Sequence, residues 1–317
     1  MADLTLTPIL VTGAHRSGTT WVGKMLAADA LTAYISEPLN VLHRPGILRA
    51  KVPHWYQYIC EENESAYLSA FQALLDFDYH LWDEIRSLRS LKDFLRMGRD
   101  FKVFSDGLMH GQRVLIKDPF AVFSAPWFAK KLNCKVVITV RHPAAFVNSL
   151  KRLNWPFDFN DLLDQSLLMR DYLEPYWDEM RAIQSYDIIG QAALLWKVVY
   201  HSVHSILRQT QDGAREVNST FIVVRHKDLS RDPVNGYRRL YASLGLDYTP
   251  HVEKIILDST SSDNPVELSR KKTHSVKLDS LASVDNWKKQ LTENEIKRIR
   301  EITEEVSHLY YSDSEWP

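Results

Sequence analysis

Gly13 and Gly18 frame a short loop in which Arg16 is the strong cation and Thr19 and Thr20 supply hydroxyls. An apolar run, Ile9-Leu10-Val11, leads into it, and an amphipathic stretch follows. Strand, glycine loop and helix in that order make a phosphate cradle. Backbone N–H groups and the positive end of the helix dipole converge on an anion, and glycine lets the main chain come close. The spacing Gly13-x4-Gly18 is that of a Walker A loop, but Thr19 stands where the Walker lysine belongs. That points away from ATP and GTP.

A second stretch, residues 135–152, repeats the pattern. Lys135–Val140 is a β-branched run that reads as a buried parallel strand. It delivers Arg141 to its end, and Pro143 then opens a helix where its missing N–H costs little. Ser149 follows Arg141 by eight residues, about two helical turns. A forked, permanently charged donor and a hydroxyl suit a dianionic phosphate. A Walker B strand would end in Asp to hold Mg²⁺, whereas this one ends in Arg.

The segment His15-Arg-Ser-Gly-Thr-Thr-Trp-Val-Gly-Lys-Met-Leu26 resembles the 5′-phosphosulfate loop of sulfotransferases that use 3′-phosphoadenosine 5′-phosphosulfate (PAPS). Members of that superfamily carry Lys or Arg before Ser-Gly-Thr-Thr, and an Arg with a Ser eight residues later on the 3′-phosphate. The resemblance implies that Arg16, Ser17, Gly18, Thr19 and Thr20 hold the 5′ end of the nucleotide, that Arg141 and Ser149 hold its 3′-phosphate, and that no metal is required.

Sulfuryl transfer is an in-line displacement. It needs a base for the acceptor hydroxyl and cations for the bridging and equatorial oxygens. Arg16 is one cation. Glu37 follows a short strand-like segment (Ala33, Tyr34, Ile35), and Pro38 disfavours helix there, so its carboxylate belongs at a strand end or turn. Tyrosylprotein and carbohydrate sulfotransferases carry a glutamate in a similar place, which makes Glu37 the expected base. The stretch VLIKDPF, with Lys117, resembles the tyrosylprotein sulfotransferase segment whose lysine contacts the sulfuryl group, and Lys117 precedes Arg141 by 24 residues. Cytosolic members have a hydroxyl and an imidazole after that lysine, where this chain has Asp118. Asp118 and His15 stay open as alternative bases.

The C-terminal basic run contributes Arg270 and Lys277 as expected nucleotide contacts. Lys277 stands ten residues before Trp287 and resembles the phosphate-contacting lysine of the tyrosylprotein enzymes, whereas Arg270-Lys271-Lys272 lacks the glycine of the cytosolic Arg-Lys-Gly triplet. Residues 221–246 resemble the carbohydrate sulfotransferase strand and turn usually seen as V-R-Y-E-D-L, with His226 replacing the tyrosine. Trp21, Trp196 and Tyr200 are the candidate adenine platforms.

These groups need a scaffold. Short apolar strands alternate with longer helical stretches, including 162–183, 188–210 and 291–308. The pattern predicts an α/β fold: a P-loop-containing parallel sheet flanked by helices on both faces. The resemblance covers 8–35, 113–152 and 190–300, and no linker or repeat divides the 317 residues, so 1–317 reads as a single domain. Residues 39–104 read as a helical lid insertion on the acceptor side, with two helices in 65–97. Ala66, Leu68, Phe71, Leu74 and Leu75 fall near helical spacing there. His54, Trp55, Tyr56 and Tyr58 offer stacking faces that suit a sugar, including an anionic one, or an aryl or lipid head group.

A net charge of −1 gives no signal for nucleic acid. Cys60 and Cys134 are too few for a disulfide framework. The start lacks a leader pattern and no run reaches a membrane span, so a cytoplasmic protein is expected. Together these readings predict a PAPS-dependent sulfotransferase acting on an acceptor hydroxyl. A carbohydrate or glycoconjugate is favoured, and lipid, polyketide and phenol acceptors stay open. The rivals are a P-loop small-molecule kinase, needing Mg²⁺ and ATP, and a non-catalytic nucleotide-binding protein. Oligomeric state has no signature.

Overall fold

A computed structural model describes residues 6–42, 44–184, 187–213, 220–265, 277 and 279–317. Its centre is a five-stranded sheet in the order β2-β3-β1-β4-β5, formed by β1 (Ile9–Gly13), β2 (Thr32–Ser36), β3 (Arg113–Lys117), β4 (Lys135–Val140) and β5 (Phe221–Arg225). All four pairings are parallel, with Val11 opposite both Lys117 and Val137, and Ser36 opposite Lys117. Strand C-termini therefore line up on one edge, where a ligand crevice forms in open α/β sheets.

Alternate residues on each strand feed two separate cores, as a period of two requires. Leu10, Ile116, Val136 and Ile138 face one, and Ile9, Val11, Leu115 and Val137 face the other. Both faces are covered, which is why β1 and β3 are buried at every position. The expected doubly covered α/β sheet is what forms.

The helices run α1 (Thr19–Leu26), α2 (Leu68–Leu75), α3 (Leu81–Ser87), α4 (Leu91–His110), α5 (Ala125–Lys131) and α6 (Pro143–Leu153) through the first half. The pair expected in 65–97 becomes three helices, and α4 extends to His110 along β2. The buried side of α2 is Ala70, Phe71 and Leu74, with Tyr67 just before it, while Ala66 is exposed in a 3-10 turn.

The helix expected over 162–183 is not continuous. It divides into α7 (Asn160–Leu163), α8 (Ser166–Leu168), a π turn (Met169–Leu173), a 3-10 turn (Glu174–Tyr176) and α9 (Trp177–Ala182). Two residues explain the breaks. Buried Gln165 turns its amide onto the backbone of another segment, accepting from Tyr58 N at 2.7 Å and donating to Tyr56 O at 3.3 Å. Pro175 has no N–H to offer and its ring clashes with the preceding turn.

The rest follows the expected pattern. α10 (Ile188–Gly213) precedes β5, and α11 (His226–Arg231), α12 (Pro233–Leu244), α13 (Pro250–Thr260), α14 (Ser280–Val284) and α15 (Trp287–Gln290) follow it. The last long helix, α16 (Glu293–Ser307), opens with a capping box between Thr292 and Glu295. Cys60 and Cys134 are both free thiols. Among the described residues no helix is long and apolar enough to cross a membrane.

Candidate active site

A cleft of about 640 Å³ opens along the C-terminal edge of the sheet. Its floor is the loop between β1 and α1. Gly13 sits at φ 141°, and a Cβ there would meet Thr139 O at 2.4 Å. Gly18, at φ 102°, is the N-cap of α1 and makes no side-chain cap, so the first N–H groups of the helix are left for an anion. Arg16 also takes the left-handed region, at φ 67°. That costs of order 1–3 kcal/mol in a non-glycine residue and persists only where neighbours hold it.

Arg141 is the neighbour. Its guanidinium donates to the Arg16 carbonyl at 3.0 Å, and Arg16 Nε in turn donates to Ser149 Oγ at 3.2 Å. The two anion sites read separately from the sequence are thus one connected structure. Burial holds both guanidiniums down to about 10, and the like charge of Arg152 adds to this in each case. Three cations facing one cleft repel one another, and a multiply charged anion is what relieves that repulsion.

The other loop residues divide. Gly18, Thr19 and Thr20 line the cleft. Ser17 does not: it is fully buried, its Oγ shares a 2.6 Å hydrogen bond with Thr139, and its N–H donates to Ala14 O. Its expected nucleotide contact is therefore corrected to a structural tie between the loop and β4.

Glu37 follows β2 directly, at φ 54°, and its N–H extends the parallel ladder by donating to Lys117 O at 2.8 Å. Lys117 Nζ donates to Glu37 Oε1, and Asn40 Nδ2 to Oε2 at 3.0 Å. Glu37 and Asn40 line the cleft, whereas Lys117 is buried behind them. A Cβ on Gly23 of α1 would press on Lys117 Cγ at 3.1 Å, so that glycine makes room for the lysine stem.

Asp118 has no access to the cleft. Its oxygens accept from Leu39 N at 2.6 Å and Phe120 N at 2.9 Å, and burial raises its carboxyl to about 7. It is a turn organiser that fixes the chain on either side of Glu37 and Lys117. His15 does line the cleft, among Phe120, Phe146 and Phe157, and burial lowers it to about 4. The Tyr56 hydroxyl accepts from His15 N at 3.0 Å and lies 2.6 Å from its Nδ1. Tyr56 is wholly buried, and satisfying its one O–H requires it to donate to Nδ1. Neutral His15 then carries its proton on Nε2 as a donor, the wrong form for a base.

Of the adenine platforms, Trp196 and Tyr200 are fully buried. They brace the site from behind, through Trp196 Nε1 to Arg141 O at 2.8 Å and Tyr200 OH to Thr139 O at 2.9 Å. Trp21 alone of the three lines the cleft, beside His226 and Ser259. Trp287 also lines it and stacks on His142 at 4.8 Å. Lys277 is exposed and outside the lining, and Arg270 lies outside the described residues.

On the acceptor side the structure places Trp55 in the lining, packed on Phe120 at 4.4 Å, but Tyr56 and Tyr58 are buried supports. No residue of α2, α3 or α4 lines the cleft; the opposite wall is 155–158 with Asp161. Sequence reasoning missed Arg152, Asn148 and Trp155, the last under the Arg16 guanidinium at 5.9 Å. A signal existed: Ala145, Asn148, Ser149 and Arg152 fall at i, i+3, i+4 and i+7 on α6. Among the described residues no cluster of His, Cys, Asp and Glu could hold a metal.

The profile of the sulfotransferase domain family matches residues 6–310. Carbohydrate sulfotransferase 2 of mouse and of human each align at 29% identity over 110 residues, covering 33% of this chain and 19% of the relative. Mouse carbohydrate sulfotransferase 5 aligns at 32% over 80 residues, 25% of this chain and 20% of the relative. The matched stretch thus spans about a fifth of the curated relatives' length. Among solved structures, mouse sulfotransferase SULT7A1 complexed with PAP superposes with a TM-score of 0.49 at 13% identity, covering 98% of this chain and 88% of that one.

Proposed function

The chain belongs to the sulfotransferase domain family, and on that premise we propose that it moves a sulfuryl group from PAPS to an acceptor hydroxyl, with Glu37 as the base. The observation that carries the proposal is the convergence, in one cleft, of the Arg16–Ser149–Arg141 assembly with the carboxylate of Glu37. The donor site fits a nucleotide with phosphates at both ends. The uncapped start of α1 and Arg16 suit the 5′ end, Arg141 and Ser149 suit a 3′-phosphate, and Trp21 offers a ring for the base.

When bound, PAPS supplies an activated sulfuryl group and a phosphate leaving group. The chain's own residues do the rest. Asn40 holds one oxygen of Glu37, leaving the carboxylate fixed to take the acceptor proton. As that proton arrives, Glu37 loses its charge and its ion pair with Lys117 ends, which leaves an ammonium just behind the cleft wall to act on the developing charge from there. Arg16 and Arg141 keep their charge throughout. In this reading protein cations do the work that Mg²⁺ does in nucleotide-hydrolysing loops, and activity is expected to persist in chelator.

The carbohydrate sulfotransferases among its relatives and the aromatic faces of Trp55 and Trp155 favour a sugar hydroxyl as acceptor. Asp158 and Asp161 line the same wall and disfavour an anionic sugar there.

The test is calorimetric titration of metal-free protein with 3′-phosphoadenosine 5′-phosphate against ATP with Mg²⁺. Micromolar binding of the 3′-phosphorylated nucleotide supports the proposal. Preference for ATP with Mg²⁺ overturns it in favour of a kinase.

A further inference from the structure

Helix α4 carries two apolar faces. One packs inward through Met97, Phe104 and Gly107, around buried Asp100, which accepts from Arg44 at 3.1 Å. The second is largely exposed: Leu91 is 75% exposed, Phe94 54% and Leu108 66%, while Phe101, edge-on to Tyr79 at 5.9 Å, keeps 43%. Isolated exposed apolar residues are ordinary on a surface, but a contiguous stripe is not.

The stripe has a register. Leu91, Phe94, Gly98, Phe101, Ser105 and Leu108 are separated by 3, 4, 3, 4 and 3 residues, the seam of a coiled coil. Leu91, Gly98 and Ser105 occupy one heptad position, Phe94, Phe101 and Leu108 the other. The first set ends in two small residues and the second is large. In an antiparallel pair the two sets face each other, and a two-fold axis between residues 99 and 100 sets Leu91 against Leu108, Gly98 against Phe101 and Ser105 against Phe94. Each layer joins a large residue to a small one or leucine to leucine. A parallel pair would instead stack Phe101 on itself and leave Gly98 facing Gly98. A Cβ built at Gly98 meets nothing within 4 Å, so the hollow that would receive Phe101 is open.

We propose that α4 is the self-association surface of this protein, pairing antiparallel with α4 of a second copy through the seam Leu91–Leu108. Leu95 and Met109, also exposed, flank the seam on one edge. Together these side chains offer on the order of 700 Å² per copy, near the ~800 Å² a side of a standard interface. Glycine and serine at the seam let the two backbones approach closely, as small residues do at other helix–helix contacts. None of these residues lines the cleft, so each copy keeps a complete site.

Sedimentation velocity on the full chain over a micromolar concentration series reads the association directly. A dimer is expected, and Phe101→Asp is expected to weaken it by about 100-fold or more, since the charge enters two layers at once. Binding of 3′-phosphoadenosine 5′-phosphate unchanged in Phe101→Asp shows that the variant is folded. Register is read by oxidative cross-linking in a Cys60→Ser background. Gly98→Cys with Phe101→Cys should link two chains, whereas Phe101→Cys alone should not. A monomer throughout the series, a dimer indifferent to Phe101→Asp, or efficient linking through Phe101→Cys alone would each overturn the proposal.

Discussion

Lys117 Nζ, buried at the end of β3, donates to the carboxylate of Glu37 at the end of neighbouring β2, and the Glu37 N–H returns a bond to the Lys117 carbonyl. The two residues are thus held together through side chain and main chain at once. The parallel register makes this inevitable, because Ser36 lies opposite Lys117 and Glu37 is the next residue on. In the proposed reaction this contact fixes the carboxylate in place and keeps the lysine occupied until the proton moves.

Glu37→Gln should keep donor affinity within about twofold and lower kcat by about 10²–10⁴, the usual range for a lost general base. Stopped kinetics with intact calorimetric binding of the product nucleotide is the expected pair of results. Near-normal turnover would remove Glu37 from the mechanism.

Arg141→Ala removes a cation from the cleft and the bond that steadies the Arg16 carbonyl, so nucleotide binding should weaken by about 100-fold. Ser149→Ala loses one neutral acceptor and should cost about tenfold or less. Titration of both variants with 3′-phosphoadenosine 5′-phosphate ranks them, and a larger loss for Ser149→Ala would contradict the geometry.

Gly18→Ala should destabilise the fold by about 1–3 kcal/mol, since φ is 102° and the new Cβ would fall 2.4 Å from His226 Cδ2. His226→Ala in the same chain relieves the clash but not the backbone strain. Urea unfolding should show partial recovery in the double variant, and full recovery would mean the backbone conformation is unstrained.

Three histidines with depressed pKa values set an acid limit. Burial lowers His15 to about 4, and His142 and His226 to about 3, against 6.5 when unfolded. The unfolded chain then binds more protons below pH 6.5, so stability is fully present above that value and is lost as pH falls through it towards 4 and 3. Both ring nitrogens of His142 are buried with no partner among the described residues, inside a box of Trp287, Tyr311 and Trp316. His142→Phe should therefore stabilise the protein, by about 1 kcal/mol at neutral pH and more at pH 5. Unfolding midpoints at pH 7.5 and 5 test it; an unchanged slope would show that His142 titrates normally.

The parts of the site that were legible in the sequence are those where a strand hands over to a helix. Val140, Arg141 and Pro143 announce a strand end, a cation and a helix start within four residues, and Gly13 to Thr20 do the same at β1. What was not legible depended on distant partners. Gln165 breaks a helix that its neighbours favour because it serves the backbone of Tyr56 and Tyr58. Trp196 and Tyr200 have the rings of a base platform but are spent on Arg141 and Thr139 carbonyls. Ser17 sits in the middle of the loop motif and still faces away from the cleft, because Thr139 on β4 claims its hydroxyl.

The bond from Arg141 to the Arg16 carbonyl has a bearing on how donor preference could change over evolution or by design. Under the proposed function, recognition of the two ends of the nucleotide is not modular. A substitution meant to abolish discrimination for the 3′-phosphate would also loosen the peptide that aims Arg16, and so damage the end where transfer occurs. Drift towards a simpler donor would need compensating change in both places at once, which makes the proposed preference hard to lose by single steps.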